Sequence, residues 1–216
     1  MQDPFRQKKQ SILASISTNG PDNVDASPKG TIDEHCLPII NLINAHPDMV
    51  TTSSCSGRVS VYLEGTQDKI VSKGNHGKWL FVTHDPSEML DWYKTLNFTF
   101  EPNFPSSAYN ARGIIYKFEA LILHVKCRDF ATAKQLYTVA MGCGFRESGI
   151  GGNFNVAIRI SIKLDIPIGY QYEEGKYVCF VSQEYLEYIT KLSIDRFDEN
   201  FKKLQQLYSA IEKMDS

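Results

Sequence analysis

The stretch "YKFEALILHVKCRDFATAKQLYTVAMGCGFRESGI", residues 116–150, most narrows what this chain can fold into. Tyr116 to Cys127 is a long apolar run with alternating polar interruptions, which reads as a strand. Asp129 stands where a helix N-cap belongs. Ala133, Leu136, Tyr137, Ala140 and Met141 then recur at the spacing of one helical face, and Gly142 or Gly144 closes the helix. "FRESGI" follows as a further strand. Strand, helix and strand in that order imply a sheet with a helix packed on it.

The remaining segments add strands in groups instead of in strict alternation with helices. Residues 5–16 carry Phe5, Ile12, Leu13 and Ile16 and read as a helix. Residues 17–31 are rich in Gly, Pro, Asp and Ser, the composition of a loop or linker. Cys36, Ile39, Ile40 and Ile43 mark a second helix, with Thr31 and Glu34 as a capping box and Pro38 either kinking it or marking a later start. Residues 49–54 and 58–64 read as extended segments on either side of a bend, and Val59, Val61 and Leu63 alternate with polar neighbours. "KWLFVTH" is a strand, and Asp85-Pro86 opens a helix through Leu96. "VAIRISIKL" and "YVCFVS" are strands. Leu186, Ile189, Phe197, Phe201, Leu204, Tyr208 and Ile211 line one face of a long closing helix, with a break near Ser193. The expectation is an α+β fold. It is a single domain over residues 1–216, with a mixed sheet core flanked by helices and a long C-terminal helix.

Composition bounds function only loosely. Net charge is −2, so no basic excess announces a nucleic-acid partner, although charge gathered on one face would permit one. No apolar run approaches the ~18 residues of a membrane span. The opening "MQDPFRQKKQ" lacks the apolar core of a secretory signal. The five cysteines form no C-x-x-C pair, which favours a reduced, intracellular protein without a structural zinc.

Polar clusters stand at the ends of these elements, where a scaffold can hold functional groups. In "TTSSCSGR", residues 51–58, Cys55 and Arg58 are too close for a phosphatase loop, and the Walker spacing is absent. Its serines, Gly57 and Arg58 read either as a polar bend bonded to its own backbone or as an anion-binding turn. "GIGGN", residues 149–153, lacks the dinucleotide spacing and precedes a strand, so it reads as a flexible turn and a Rossmann fold is not expected. His124 interrupts a strand on the face of Ile122 and Phe118, the setting of a hydrogen-bonded core residue or a base. His84 ends a strand beside Asp85, a better catalytic position. Asp33 supports a helix start or acts in catalysis, and Trp79 packs or stacks. His35, Cys36 and His46 have no metal-ligand spacing with any partner in the sequence.

In series, "SPKGTIDE", "TTSSCSGR", "KWLFVTH", "FEALILHVKC", "GFRESGI" and "VAIRISIKLDIPI" resemble the ordered signature of the tRNA wybutosine-synthesizing protein 3 family. The closing "EYLEYITKLSIDRFDENFKKLQQLY" also resembles it, and the likeness runs from about residue 5 to residue 210, strongest to fungal members. The resemblance implies an S-adenosylmethionine-dependent methyltransferase. Its substrate would be a ring nitrogen of the tricyclic wyosine-type base 3′ of the anticodon in phenylalanine tRNA. The cofactor enters through the resemblance alone.

On that basis Asp33, His84 and His124 are the candidate proton-handling residues. Ser53, Ser54, Cys55, Ser56, Gly57 and Arg58 are the candidate cofactor wall, where the Arg58 fork meets the cofactor carboxylate or a tRNA phosphate. An N-methyl transfer needs no covalent enzyme intermediate, so Cys55 is a shape-filling group. Lys29, Trp79 and Lys126 are candidate substrate contacts, with Lys73, Lys78 and Arg112 as further phosphate contacts. The expected protein is a cytoplasmic monomer that uses no metal. The other readings are a non-catalytic RNA- or nucleotide-binding module and, without support from spacing, a hydrolase pairing Cys55 with His84 or His124.

Overall fold

The computed structural model describes residues 3–17, 32–65 and 77–214, with the backbone alone at 106 and 107. Lys29, Thr31 and Lys73, with the loop before Ile32, lie outside the described residues. The helices are α1 (Pro4–Ser17), α2 (Leu37–Ala45), α3 (Phe130–Gly142) and α4 (Gln183–Glu212). The strands are β1 (Met49–Leu63), β2 (Lys78–Thr83), β3 (Thr99–Phe100), β4 (Arg112–Cys127), β5 (Gly149–Ile150), β6 (Asn155–Arg159), β7 (Lys163–Glu173) and β8 (Lys176–Cys179).

Hydrogen-bonded neighbours run β2-β1-β4-β7-β8-β3, with β6 also paired to β4 and β5. The β1–β2, β4–β6, β4–β7, β5–β6 and β7–β8 pairs are antiparallel, and β3–β8 is parallel. The sheet is therefore mixed and is not the parallel sheet of a doubly wound fold, as expected. Gly169 has a structural reason: a Cβ there would lie 2.2 Å from the Val178 carbonyl oxygen on β8.

The chain divides into two compact units. Unit 1 holds residues 1–57, 120–161 and 199–216; unit 2 holds 58–119 and 162–198. In unit 1, Ile39, Ile40 and Ile43 of α2, Leu121, Leu123 and Val125 of β4, and Leu136 of α3 are buried in one core. Asp129 caps α3 as predicted, accepting from the Thr132 amide at 2.9 Å, and Gly144 follows its end at φ 92. Pro38 sits in the first turn of α2, where its missing N–H costs nothing, so it marks a start and no kink. Arg128 bridges Asp3 and Asp48 and lies 4.9 Å over the Phe5 ring, which ties down α1. The hydrogen bond from Arg128 holds the Asp3 carboxyl below its ordinary pKa.

In unit 2, Ile114, Tyr116 and Phe118 are the buried residues of β4. The parity of buried positions thus changes along one strand, from even before Glu119 to odd after Ala120. His124 consequently does not share a buried face with Phe118: Phe118 packs edge-on against Phe197, while His124 is half-buried.

Three local expectations are corrected. The bend expected within residues 51–58 does not occur, because β1 is unbroken; Gly57 takes φ 108 inside it, a conformation open to glycine. The helix expected from Asp85 to Leu96 is two 3-10 turns, Pro86–Met89 and Trp92–Leu96, separated by Asp91 at φ 55. Trp92 turns inward there, and its indole N–H donates to the Thr190 hydroxyl at 2.8 Å. Burying that ring with its N–H satisfied outweighs helix continuity. Helix α4 does not break near Ser193, whose hydroxyl donates to the Ile189 carbonyl at 2.9 Å and lies 2.7 Å from the Tyr116 hydroxyl.

Candidate active site

The "TTSSCSGR" stretch is therefore a strand, and its polar groups have defined partners. In unit 1 the Ser56 amide donates to the Asp33 carboxyl at 2.9 Å. The Ser56 carbonyl accepts from the Asn200 side chain at 2.7 Å, and the Asn200 amide oxygen accepts from the Leu121 N–H at 2.7 Å. Asp33, Ser56 and Asn200 are all buried. Asp33 thus supports β1 with its side chain and gives the following helix turn no side-chain cap. Sequence reasoning missed Asn200, although a polar residue among Phe197, Phe201 and Leu204 on an apolar helical face was the available signal. The Ser56 and Thr51 hydroxyls are buried without a partner among the described residues.

Nearer the surface of unit 1, the Ser53 hydroxyl lies 2.7 Å from His124 Nδ1, and Thr52 donates to the His124 carbonyl at 3.1 Å. Burial, and then the positive charge of Arg159, lower the His124 pKa from its usual 6.5. The imidazole is thereby held neutral near pH 7, with one ring nitrogen engaged by a hydroxyl. Ser54 and Cys55 are half-buried and Gly57 is buried. Lys126 donates to the Asn153 carbonyl.

In unit 2, Arg58 Nε donates to the Glu119 carboxyl at 2.7 Å while the guanidinium lies 5.0 Å over the Trp79 ring. Tyr62 packs on the same indole at 4.9 Å, and Trp79 remains 40% exposed. Stacking fixes the guanidinium plane and leaves its fork edge for a planar anion. Glu119 went unrecognised in the sequence because a lone Glu in a strand carries no local signal. His84 follows β2 half-buried, next to the N-cap Asp85. Arg112 donates to the Glu64 carbonyl and to Gln171, at 2.7 and 3.1 Å, and Lys78 is exposed at the start of β2.

The structure thus joins Asp33 with Ser56, Ser53 with His124, and Arg58 with Trp79. A neutral imidazole bonded to a hydroxyl can take up a proton, and an aromatic-backed guanidinium beside a carboxyl suits a zwitterionic ligand. The mixed sheet that carries them sets the protein apart from the Rossmann-type folds.

The protein is similar over nearly its whole length to known ones. It is 54% identical to tRNA wybutosine-synthesizing protein 3 of Saccharomyces cerevisiae, across 98% of this chain and 82% of that one. It is 41% identical to the Schizosaccharomyces pombe protein of the same name, across 97% and 87%. The solved structure of PH1069 from Pyrococcus horikoshii OT3 superposes with a TM-score of 0.75 at 26% identity, covering 99% of this chain and 96% of that one. The family model described as Methyltransferase TYW3 matches residues 7–213, and the chain belongs to that family.

Proposed function

We propose that this methyltransferase N-methylates the tricyclic wyosine-type base 3′ of the anticodon in phenylalanine tRNA, with S-adenosylmethionine as donor. The match to the methyltransferase family across residues 7–213 carries this reading. The yeast relatives, named for wybutosine synthesis on tRNA, support the substrate. Among the described residues no helix is long and apolar enough to cross a membrane.

The donor set fits the cofactor. Arg58, stacked on Trp79 and bonded through Nε, would hold the methionyl carboxylate through its free fork, and Glu119 would pair with the ammonium group. When bound, S-adenosylmethionine supplies an electrophilic methyl whose transfer leaves a neutral thioether. Ser53 orients the His124 ring, and the neutral imidazole accepts the proton released by the methylated ring nitrogen. The hydroxyl of Ser53 borders that imidazole. Asp33 acts by holding Ser56, and so the strand, in place; His84 is the second candidate base. Cys55 contributes shape and no covalent bond.

The test incubates the protein with methyl-labelled cofactor and phenylalanine tRNA from a strain lacking the gene, followed by mass analysis of the base. A mass gain of one methyl group in place of hydrogen is expected. Tight tRNA binding without that gain would favour a binding module. His124→Ala is expected to lower kcat with cofactor affinity unchanged, and Arg58→Lys to weaken cofactor binding. Labelled methyl trapped on Cys55 would overturn the direct-transfer route.

A further inference from the structure

Strands β4 and β6 pair with Ile122 opposite Arg159, His124 opposite Ala157 and Lys126 opposite Asn155. Leu121, Leu123, Val125, Val156 and Ile158 enter the unit 1 core, so the paired residues between them share the other face of the sheet. That face is half-buried to exposed and carries three basic side chains, His124, Lys126 and Arg159. At its β6 end, Gly151 and Gly152 lead into Asn153 and Phe154, at φ 54 and 59. Asparagine visits this region readily, whereas a bulky side chain there is a strained outlier. Phe154 nonetheless stays 38% exposed, with the Lys126 ammonium 5.9 Å from the centre of its ring.

Packing does not explain that residue. The positive φ alone would be served by glycine at 154, as it is at 144 and 175, and a ring this exposed adds little to the core. Strain held in order to present an aromatic ring beside a cation has a ligand as its natural cause. An unpaired nucleotide matches both parts, since a base stacks on the ring and its phosphates meet the lysine and arginine.

We propose that this face of β4 and β6 is an RNA platform, where Phe154 stacks on an unpaired base of the anticodon loop while Lys126 and Arg159 flank its phosphates. The inference rests on the tRNA reading above and extends the candidate substrate surface to Phe154 and Arg159, joined to the Ser53–His124 pair through β4. It places the grip on RNA on the face that also carries His124, the proposed proton acceptor.

Binding of a fluorescent anticodon stem-loop of phenylalanine tRNA tests it, with a blunt duplex of the stem alone for comparison. Phe154→Ala should weaken stem-loop binding by roughly 5- to 150-fold, the range for losing one aromatic stack, and leave duplex binding unchanged. Phe154→Gly relieves the strained backbone, so its Tm should stay level or rise while binding falls as in the alanine variant. Phe154→Tyr should restore binding. Lys126→Ala should reduce the salt slope of log K by about one phosphate contact. Equal stem-loop affinity in wild type, Phe154→Ala and Phe154→Gly overturns the platform, as does an equal loss on stem-loop and duplex. Methyl transfer by the wild type is measured in parallel. If transfer is present and Phe154 has no effect on binding, the platform alone falls. If transfer is absent, the reaction reading falls, and the Phe154 dependence still decides the platform.

Discussion

Ser56 and Arg58 stand two positions apart on β1, yet their environments are opposite. Ser56, in unit 1, is buried; its amide goes to Asp33 and its carbonyl to Asn200. Arg58, in unit 2, makes one ion pair with the half-exposed Glu119 and lies over a partly exposed indole. A buried network in which each of those backbone groups is satisfied rigidifies its strand, because any broken link leaves a polar group without water. An exposed ion pair contributes little to stability, and its members can exchange partners at small cost. The first arrangement is suited to holding β1 in place and the second to receiving a ligand. One motif thus spans two different environments.

The largest break in that comparison is expected from Asn200→Ala. It strips a partner from both the Leu121 N–H and the Ser56 carbonyl in a buried place, at roughly 1–3 kcal/mol for each group. Urea unfolding should show a loss of about 3 kcal/mol; a loss below about 1 kcal/mol would mean that water replaces the amide. Asp33→Ala is expected to follow at about 2 kcal/mol, with Asp33→Asn losing less because an acceptor for the Ser56 amide is kept. If the asparagine variant folds like wild type but transfers no methyl, Asp33 has a role beyond positioning.

What was readable in the sequence follows the same division. Helix α3 was legible because its signals are local: the Asp129 cap, the Ala133, Leu136 and Ala140 face, and Gly144 beyond its end. The long strand β1 was not, since small polar residues look like a turn until their partners are known. Those partners, Asp33 and Asn200, lie far away in the chain. The 85–96 segment failed for a related reason: the Trp92 N–H finds Thr190, and that tertiary bond overrides a cap that is itself present. The candidate site was half legible. Ser53, His124, Arg58 and Trp79 were recognised as residues and fall into two contacting pairs, whereas Glu119 and Phe154 were invisible, because neither an ion pair across strands nor a positive φ leaves a mark on neighbouring residues.

Glu119→Gln probes the exposed side of the comparison and should change unfolding free energy by less than about 1 kcal/mol. The same substitution should nevertheless weaken cofactor binding, because it removes the negative charge proposed to pair with the ammonium group. A stability loss equal to that of Asp33→Ala would place Arg58 with the structural residues and leave it unable to rearrange around a ligand.

The smallest expected effect is the pH dependence due to His124. Its folded pKa is lowered by burial and then by Arg159, below the 6.5 of an exposed histidine. Above that value both the folded and unfolded chains carry a neutral ring, and the stability tied to it is fully present. As pH falls through 6.5 the unfolded chain takes up a proton that the folded chain resists, so stability declines until the lower folded pKa is reached. His124→Gln keeps a hydrogen-bonding group for Ser53 but removes the titration, so its unfolding midpoint should vary less across that window than the wild type's. Parallel curves for the two would show that the imidazole gains a proton as easily folded as unfolded. That result would remove the physical basis for His124 as the proton acceptor and shift the role to His84, without touching the buried Asp33–Ser56–Asn200 network that positions the strand.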